Sequence, residues 1–177
     1  MGGQHSARGF SLIELMIVIS LMGLFLGTVQ ETLIVGLRAT SAADDRENIR
    51  LQLNKSLDQF IREASAASNV DCAMDQRFQF DASDINGDGS ADNDINYRVN
   101  SGVFERVGST TVTMINNLTS LDFDYLDSSN ASLANCSASD CGSSSCRDSL
   151  RVVQVTMTAT KNGEVVSVTD AVRLRNR

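Results

Sequence analysis

Gly9-Phe10-Ser11-Leu12-Ile13-Glu14-Leu15-Met16-Ile17-Val18-Ile19-Ser20-Leu21-Met22-Gly23-Leu24-Phe25-Leu26-Gly27 decides the fold of this 177-residue chain. The stretch carries one charge, on Glu14. Continued from Phe10 to Val29, it is long enough to cross a bilayer as a helix, at about 1.5 Å per residue against roughly 30 Å of hydrocarbon. A carboxylate in such a run costs on the order of 2.5–3.5 kcal/mol at mid-membrane, and less near the interface. It therefore calls for a compensating partner. The simpler alternative is a membrane anchor that tolerates a stray acid.

The preceding residues argue for more than an anchor. Met1 to Arg8 form a short polar leader, basic at Arg8 and ending at Gly9. A secretory signal is cut after its apolar region. A cut at Gly9 would instead leave the whole apolar helix on the mature protein. Arg8-Gly9-Phe10-Ser11-Leu12-Ile13-Glu14-Leu15 resembles the signature of type IV prepilins and type II secretion pseudopilins over about the first thirty residues. The resemblance implies cleavage between Gly9 and Phe10 by a prepilin peptidase and N-methylation of Phe10. It also implies that Glu14 neutralises the Phe10 amine of a neighbouring subunit, and that an inner-membrane assembly platform takes part. Physically, cleavage creates a cation at the head of an apolar helix, and a carboxylate on the next helix can pair with it in low dielectric.

Composition bounds the rest. Formal net charge is −7; without Arg8, 14 basic against 22 acidic side chains gives −8. That balance argues against a general nucleic-acid binder, which shows a basic patch. The one histidine, His5, lies in the leader, so no histidine-based site is expected in the mature protein. There is no Ser-His-Asp set, phosphate loop or Cys-His pair, and an enzyme is not expected. Arg8 before the span suits a cytoplasmic leader and a periplasmic remainder. The four cysteines suit an oxidising compartment. The expected location is the inner membrane, then a pilus or pseudopilus filament.

Helical periodicity continues past the span. Leu33, Ile34 and Leu37 are followed by Ile49, Leu53, Leu57, Phe60, Ile61 and Ala64, with steps of mostly four and three that place one apolar stripe on a helix. Arg46, Arg50, Lys55, Asp58, Arg62 and Glu63 lie largely off it. One helix is expected from about Phe10 to Ala67, roughly 85 Å long. Gly23, Gly27, Gly36 and residues 39–43 are candidate soft points. Beyond Asn69 the pattern becomes strand-like. Arg77-Phe78-Gln79-Phe80, Ile95–Val99, Val103–Val107, Thr110–Met114, Leu121–Tyr125, Leu150–Thr158 and Val165–Leu174 read as strands or lead-ins. Asn100-Ser101-Gly102 and Lys161-Asn162-Gly163-Glu164 read as turns.

The expected fold is therefore α+β and type IV pilin-like: a long helix packed against an antiparallel sheet of five or six strands. The expected organisation is a leader (1–9), an assembly span (10–30), an amphipathic continuation of the helix (31–68) and a sheet domain (69–177). The order Ile95-Tyr97-Arg98, Gly102, Arg106, Leu121-Phe123-Tyr125 and Arg175-Asn176 is similar to PilW-type minor pilins and J-type pseudopilins.

Two further features carry chemistry. Asp84-Ile85-Asn86-Gly87-Asp88-Gly89-Ser90-Ala91-Asp92 places oxygens at alternate residues and glycine at the sixth place, which is calcium-loop spacing. The candidate ligands are Asp84, Asn86, Asp88, Ser90 and Asp92. The twelfth place is Ile95, where a bidentate carboxylate is expected, so Asp81 or Asp94 would have to substitute. The alternative is an ordinary Asp/Asn/Gly turn. Cys72, Cys136, Cys141 and Cys146 are expected to form two disulfides, with three connectivities open. Zinc would need all four thiolates or borrowed carboxylates, and no Cys-x-x-Cys supports redox chemistry.

The function expected from these features is a minor type IV pilin that primes or joins a filament with other pilin subunits. The alternatives are a J-type pseudopilin of a type II secretion system, and an adhesin or binding module displayed through the polar loop 127–149.

Overall fold

A proline-free run of good helix formers gives one unbroken α-helix, α1 (Leu12–Ser65). The computed structural model of the chain describes residues 11–85, 87–133, 136, 141 and 143–175. Gly9, Phe10, Asn86 and Asn176 lie outside the described residues. The helix passes through Gly36 and residues 39–43 without interruption. A glycine costs a helix only about 1 kcal/mol, and the Thr40 hydroxyl bonds back to the Gly36 and Leu37 carbonyls.

The chain divides into two units at Ala43/Asp44. The described part of the first unit is the front of α1. Its apolar side chains face outward; Leu12, Leu24 and Phe25 are 66–78% exposed. A contiguous apolar surface of this kind is not a water-facing one. The helix is long and apolar enough to cross a membrane.

The second unit is α+β. Its strands are β1 (Ala67–Met74), β2 (Arg77–Ala82), β3 (Asp92–Asn100), β4 (Val103–Val107), β5 (Thr111–Ile115), β6 (Leu118–Leu126), β7 (Val152–Lys161) and β8 (Glu164–Arg173), with a short helix α2 (Ser144–Ser149) before β7. The strands form two antiparallel sheets rather than the single sheet expected: β1-β2-β3-β4-β5 and β6-β7-β8. The break falls between β5 and β6, where Asn117 adopts φ 64°. Asparagine tolerates this left-handed conformation.

The two hairpin turns form where the sequence places them. Ser101-Gly102 and Asn162-Gly163 all have positive φ, between 52° and 87°. They link Asn100 to Val103 and Lys161 to Glu164 as two-residue loops matched to the right-handed strand twist. β1 is the strand that periodicity misses. Register shifts between Ala67 and Asn69 and between Val70 and Cys72 break its period-two pattern.

Phe60 of α1 is fully buried and meets rings from three strands. Its centroid lies 6.0 Å from Phe78 of β2, 5.1 Å from Tyr97 of β3 and 5.4 Å from Phe123 of β6. The stripe Ile49, Leu53, Leu57, Phe60 and Ala64 is buried as a row. Glu63, read from the sequence as lying off the stripe, is buried too, at 4% exposure. Its carboxylate accepts from Arg106 Nε at 2.6 Å and from Gln59 Nε2 at 3.0 Å. Partnering is what permits burial of a charge here. Burial, with the adjacent Glu63 carboxylate, pushes the Tyr97 phenol far above its ordinary pKa.

The second sheet is tied to the β1–β2 turn. Tyr125 Oη donates to the Met74 carbonyl at 2.6 Å, and Phe123 N–H donates to the Asp75 carbonyl at 2.9 Å. The β7–β8 turn is tied to α1, where Asp45 takes Lys161 Nζ at 2.8 Å and Asn162 Nδ2 at 2.8 Å.

The cysteines pair Cys72 with Cys141 and Cys136 with Cys146, one of the three connectivities left open by the sequence. Cys72 lies within β1. The two bridges span 69 and 10 residues. Chain-entropy arguments assign them about 4 and about 3 kcal/mol respectively. Replacing Cys72 and Cys141 by serine is therefore expected to lower Tm more than replacing Cys136 and Cys146, measured by circular dichroism on the detergent-solubilised chain. An equal or reversed ranking contradicts it.

Candidate functional site

The candidate residues fall at three places. Glu14 sits in the first turn of α1, where an acid is favoured by the helix dipole. The Glu14 and Leu15 amides both bond to the Ser11 carbonyl, at 3.0 and 3.2 Å. Between Leu12 and Val29 the other polar side chains are Ser20 and Thr28. Both are satisfied inside the helix: Ser20 Oγ donates to Met16 O at 2.9 Å and Thr28 Oγ1 to Phe25 O at 2.8 Å. Glu14 has no ion-pair partner among the described residues. Farther along, Thr28, Thr32, Gly36 and Thr40 line one flank of the helix at four-residue steps. With Val29, Leu33 and Leu37 they border a shallow groove of about 520 Å³.

The second place is the acidic loop between β2 and β3. Its carboxylates hold the loop's own backbone. Asp84 Oδ2 accepts from Gly89 N–H at 3.0 Å, Asp88 Oδ1 from Ser90 N–H at 2.8 Å and Asp92 Oδ2 from Ile85 N–H at 2.7 Å. The Asp88–Ser90 bond is the Asx type that aspartate makes in turns, and the other two reach across the loop, over five and seven residues. Gly87 and Gly89 take φ 77° and 86°, and Asp84 takes φ 34°. Asn86 lies outside the described residues. Ile95, at the twelfth place, is 1% exposed and belongs to the core, so no ligand oxygen comes from that position.

The two supplementary acids, Asp81 and Asp94, stand apart from Asp84, Asp88 and Asp92. Together with Asp71 of β1 they form a cluster whose oxygens lie within 4.8 Å of one another. Asp81 Oδ1 accepts the Asp94 N–H at 2.9 Å, Gln79 Nε2 donates to Asp94 at 2.9 Å, and Asn69 Nδ2 donates to Asp71 at 2.7 Å. Asp71 is the member that sequence reasoning missed. It lies ten residues from Asp81, and only the irregular β1–β2 pairing brings the two together. Burial, then the Asp81 and Asp94 charges, raise its pKa, and the nearby Arg147 opposes the rise.

The third place is the disulfide-bearing loop. Cys146 lies in α2, whose first turn is capped by Ser143 Oγ accepting the Cys146 N–H at 3.2 Å. Arg147 Nη1 and the Ala73 N–H both donate to the Cys141 carbonyl at 3.2 Å, so the loop is held against β1 by hydrogen bonds as well as sulfur. All four thiols are spent in disulfides, leaving none for zinc.

Residues 4–29 match the prokaryotic N-terminal methylation motif, typical of type IV pilins and pseudopilins. The match takes in Gly9, Phe10 and Glu14. No curated protein matches the chain.

The Asp71 shift has a stability consequence. An acid whose folded pKa is raised favours folding below its unfolded value, and that contribution is lost as pH rises. Ionised Asp71 therefore opposes folding at neutral pH. Asp71→Asn is expected to raise Tm at pH 7 in EDTA and to leave it nearly unchanged at pH 2.5, where the native acid is protonated as well. A lower Tm at pH 7 contradicts this.

Proposed function

We propose that the chain is a structural subunit of a type IV pilus-type filament, processed between Gly9 and Phe10, methylated at Phe10 and assembled through α1. The observation that carries this reading is the state of Glu14. Between Leu12 and Val29 it is the polar side chain with no internal partner among the described residues, and it stands four residues beyond the amine that cleavage would expose. In lipid, that demand is met by a cation on another helix. The groove from Thr28 to Thr40 supports close approach of a second helix, since small side chains let backbones come together. Residues 1–9 would be the leader, 10–30 the assembly span, 31–68 its continuation and 69–177 the periplasmic and then filament-displayed domain. The role is structural rather than catalytic.

Within this reading we favour a PilW-like minor pilin that primes or joins assembly. A J-type pseudopilin is the alternative. The residues behind both likenesses do not separate them, for a physical reason: Ile95, Tyr97, Phe123 and Tyr125 are core residues, and Arg106 belongs to the Glu63 network. They encode the domain's packing, not its choice of partners. Gene neighbours, pilus or secretin, distinguish the two.

Glu14→Ala is expected to leave cleavage and methylation intact, as read by mass spectrometry. Incorporation into sheared filaments should fall by about two to four orders of magnitude, the equivalent of a stranded charge at about 3–5 kcal/mol. Normal incorporation would count against the pairing. We also propose that the 84–92 loop takes calcium structurally, with the carboxylate–backbone bonds of the loop giving way to the ion. Millimolar calcium should then raise Tm of the chain, and Asp84→Ala with Asp88→Ala should abolish the rise; no shift with calcium ends that proposal.

A further inference from the structure

The last turns of α1, the end of β8 and the loop after β6 enclose a cleft of about 920 Å³ in the second unit. Arg62, Arg151, Arg173 and Arg175 line it against a single acid, Asp58. Four of the chain's 15 basic residues therefore share one cleft on a protein of net charge −7. Among the described residues none of these four guanidinium groups has a carboxylate within ion-pair distance. Arg151 spends one nitrogen on the Asp148 and Leu150 carbonyls. The acid nearest in sequence to Ser128 on the cleft wall, Asp127, is turned into its own loop, bonding the Ser129 and Ala131 amides. Arg62, Arg173 and Arg175 are solvent-exposed. The cleft thus offers planar, bidentate donors with no carboxylate partner among the described residues, the arrangement that recognises carboxylates or phosphates.

We propose that this cleft receives carboxylates from a second copy of the chain, namely the Asp71, Asp81 and Asp94 cluster on the β1–β2–β3 face. Charge complementarity decides the occupant. The chain itself carries a concentrated acid cluster with no ion pair among the described residues, and no ion pair joins it to the cleft within one copy. Two different surfaces of one chain that attract each other but do not meet within it make a heterologous contact. Such a contact propagates from copy to copy, into an open helical array wherever its rotation does not close into a ring. Desolvated opposite charges also fix register and exclude wrong partners. The inference rests on the filament reading and names a contact beyond that of the α1 helices. A phosphate-bearing ligand, free or in a lipid headgroup, is the competing occupant.

The test uses the full chain in detergent with EDTA, prepared in isotopically light and heavy forms and mixed. A photo-crosslinking residue replaces Ser128, which lines the cleft without adding or removing charge. Light–heavy crosslinks should join the cleft to the tryptic peptides 63–77 and 78–98, which contain Asp71 and the Asp81–Asp94 pair. R173E with R175E should lower the yield by about tenfold. Mixing that variant with a D81K, D94K chain should restore it, which unfolding of either variant could not do. Crosslinks to phospholipid, crosslinks to other segments, or a yield indifferent to charge reversal overturns the proposal. Glu14-dependent incorporation is scored on the same preparation of chains. If it persists while the cleft crosslink is absent, only this inference fails; if both are lost, the filament reading fails with it.

Discussion

Phe60 is the contact on which the second unit depends. One ring on α1 touches rings from β2, β3 and β6, so the helix, the five-stranded sheet and the three-stranded sheet share a single apolar centre. Neither sheet bonds to the other along a strand edge. They are joined by the Tyr125 and Phe123 bonds to the β1–β2 turn and by this aromatic cluster. Aromatic side chains suit the task, because each buries a large area and edge-to-face pairs add to it. With aromatic residues making up only 5% of the chain, nearly all of them are committed here: Phe60, Phe78, Phe80, Tyr97, Phe104, Phe123 and Tyr125 are all in the core.

Around that centre the buried charge specifies rather than merely stabilises. A buried ion pair repays little against an apolar pair of the same volume, but it is intolerant of misplacement. Glu63 and Arg106 meet only if α1 is rotated correctly about its axis and β4 lies in register, since a one-residue slip would turn Arg106 to the opposite face. Asp45 does the same at the other end of the domain's helical segment, fixing the tip of the β7–β8 hairpin. These polar contacts thus hold the helix in one rotational setting while Phe60 supplies adhesion.

Much of this was legible in the sequence, and the illegible parts share a cause. The apolar span, the 49–64 stripe and the two Gly-containing turns follow from local periodicity and backbone preference, which act over a few residues. β1 was missed because its bulges remove the alternation by which strands are recognised. Glu63 reads as off the stripe in the sequence, and its burial is not legible there because its partner Arg106 lies 43 residues away. Asp71 escaped the acidic-loop reading for the same reason: sequence spacing predicts convergence along a winding loop, not across two paired strands. The cysteine connectivity was open because nothing local distinguishes three cysteines spaced five apart. The division into two sheets falls at the β5–β6 link, where Asn117 takes a left-handed φ that nothing in the local sequence pattern marks.

The distribution of charge then follows a consistent logic. Where an acid and a base must define the fold, as at Glu63 and Arg106, they are buried and paired within the chain. Nearer the surface, Asp45–Lys161 and Arg98–Glu105 also pair, but four arginines gather in one cleft and three aspartates on one sheet face. Arg62, Arg173 and Arg175 have no carboxylate partner among the described residues. Segregation is favoured when the complementary charge comes from outside the molecule. In the contact proposed above, that charge is the Asp71, Asp81 and Asp94 cluster of a second copy, brought near by an apolar helix that itself calls for neighbours.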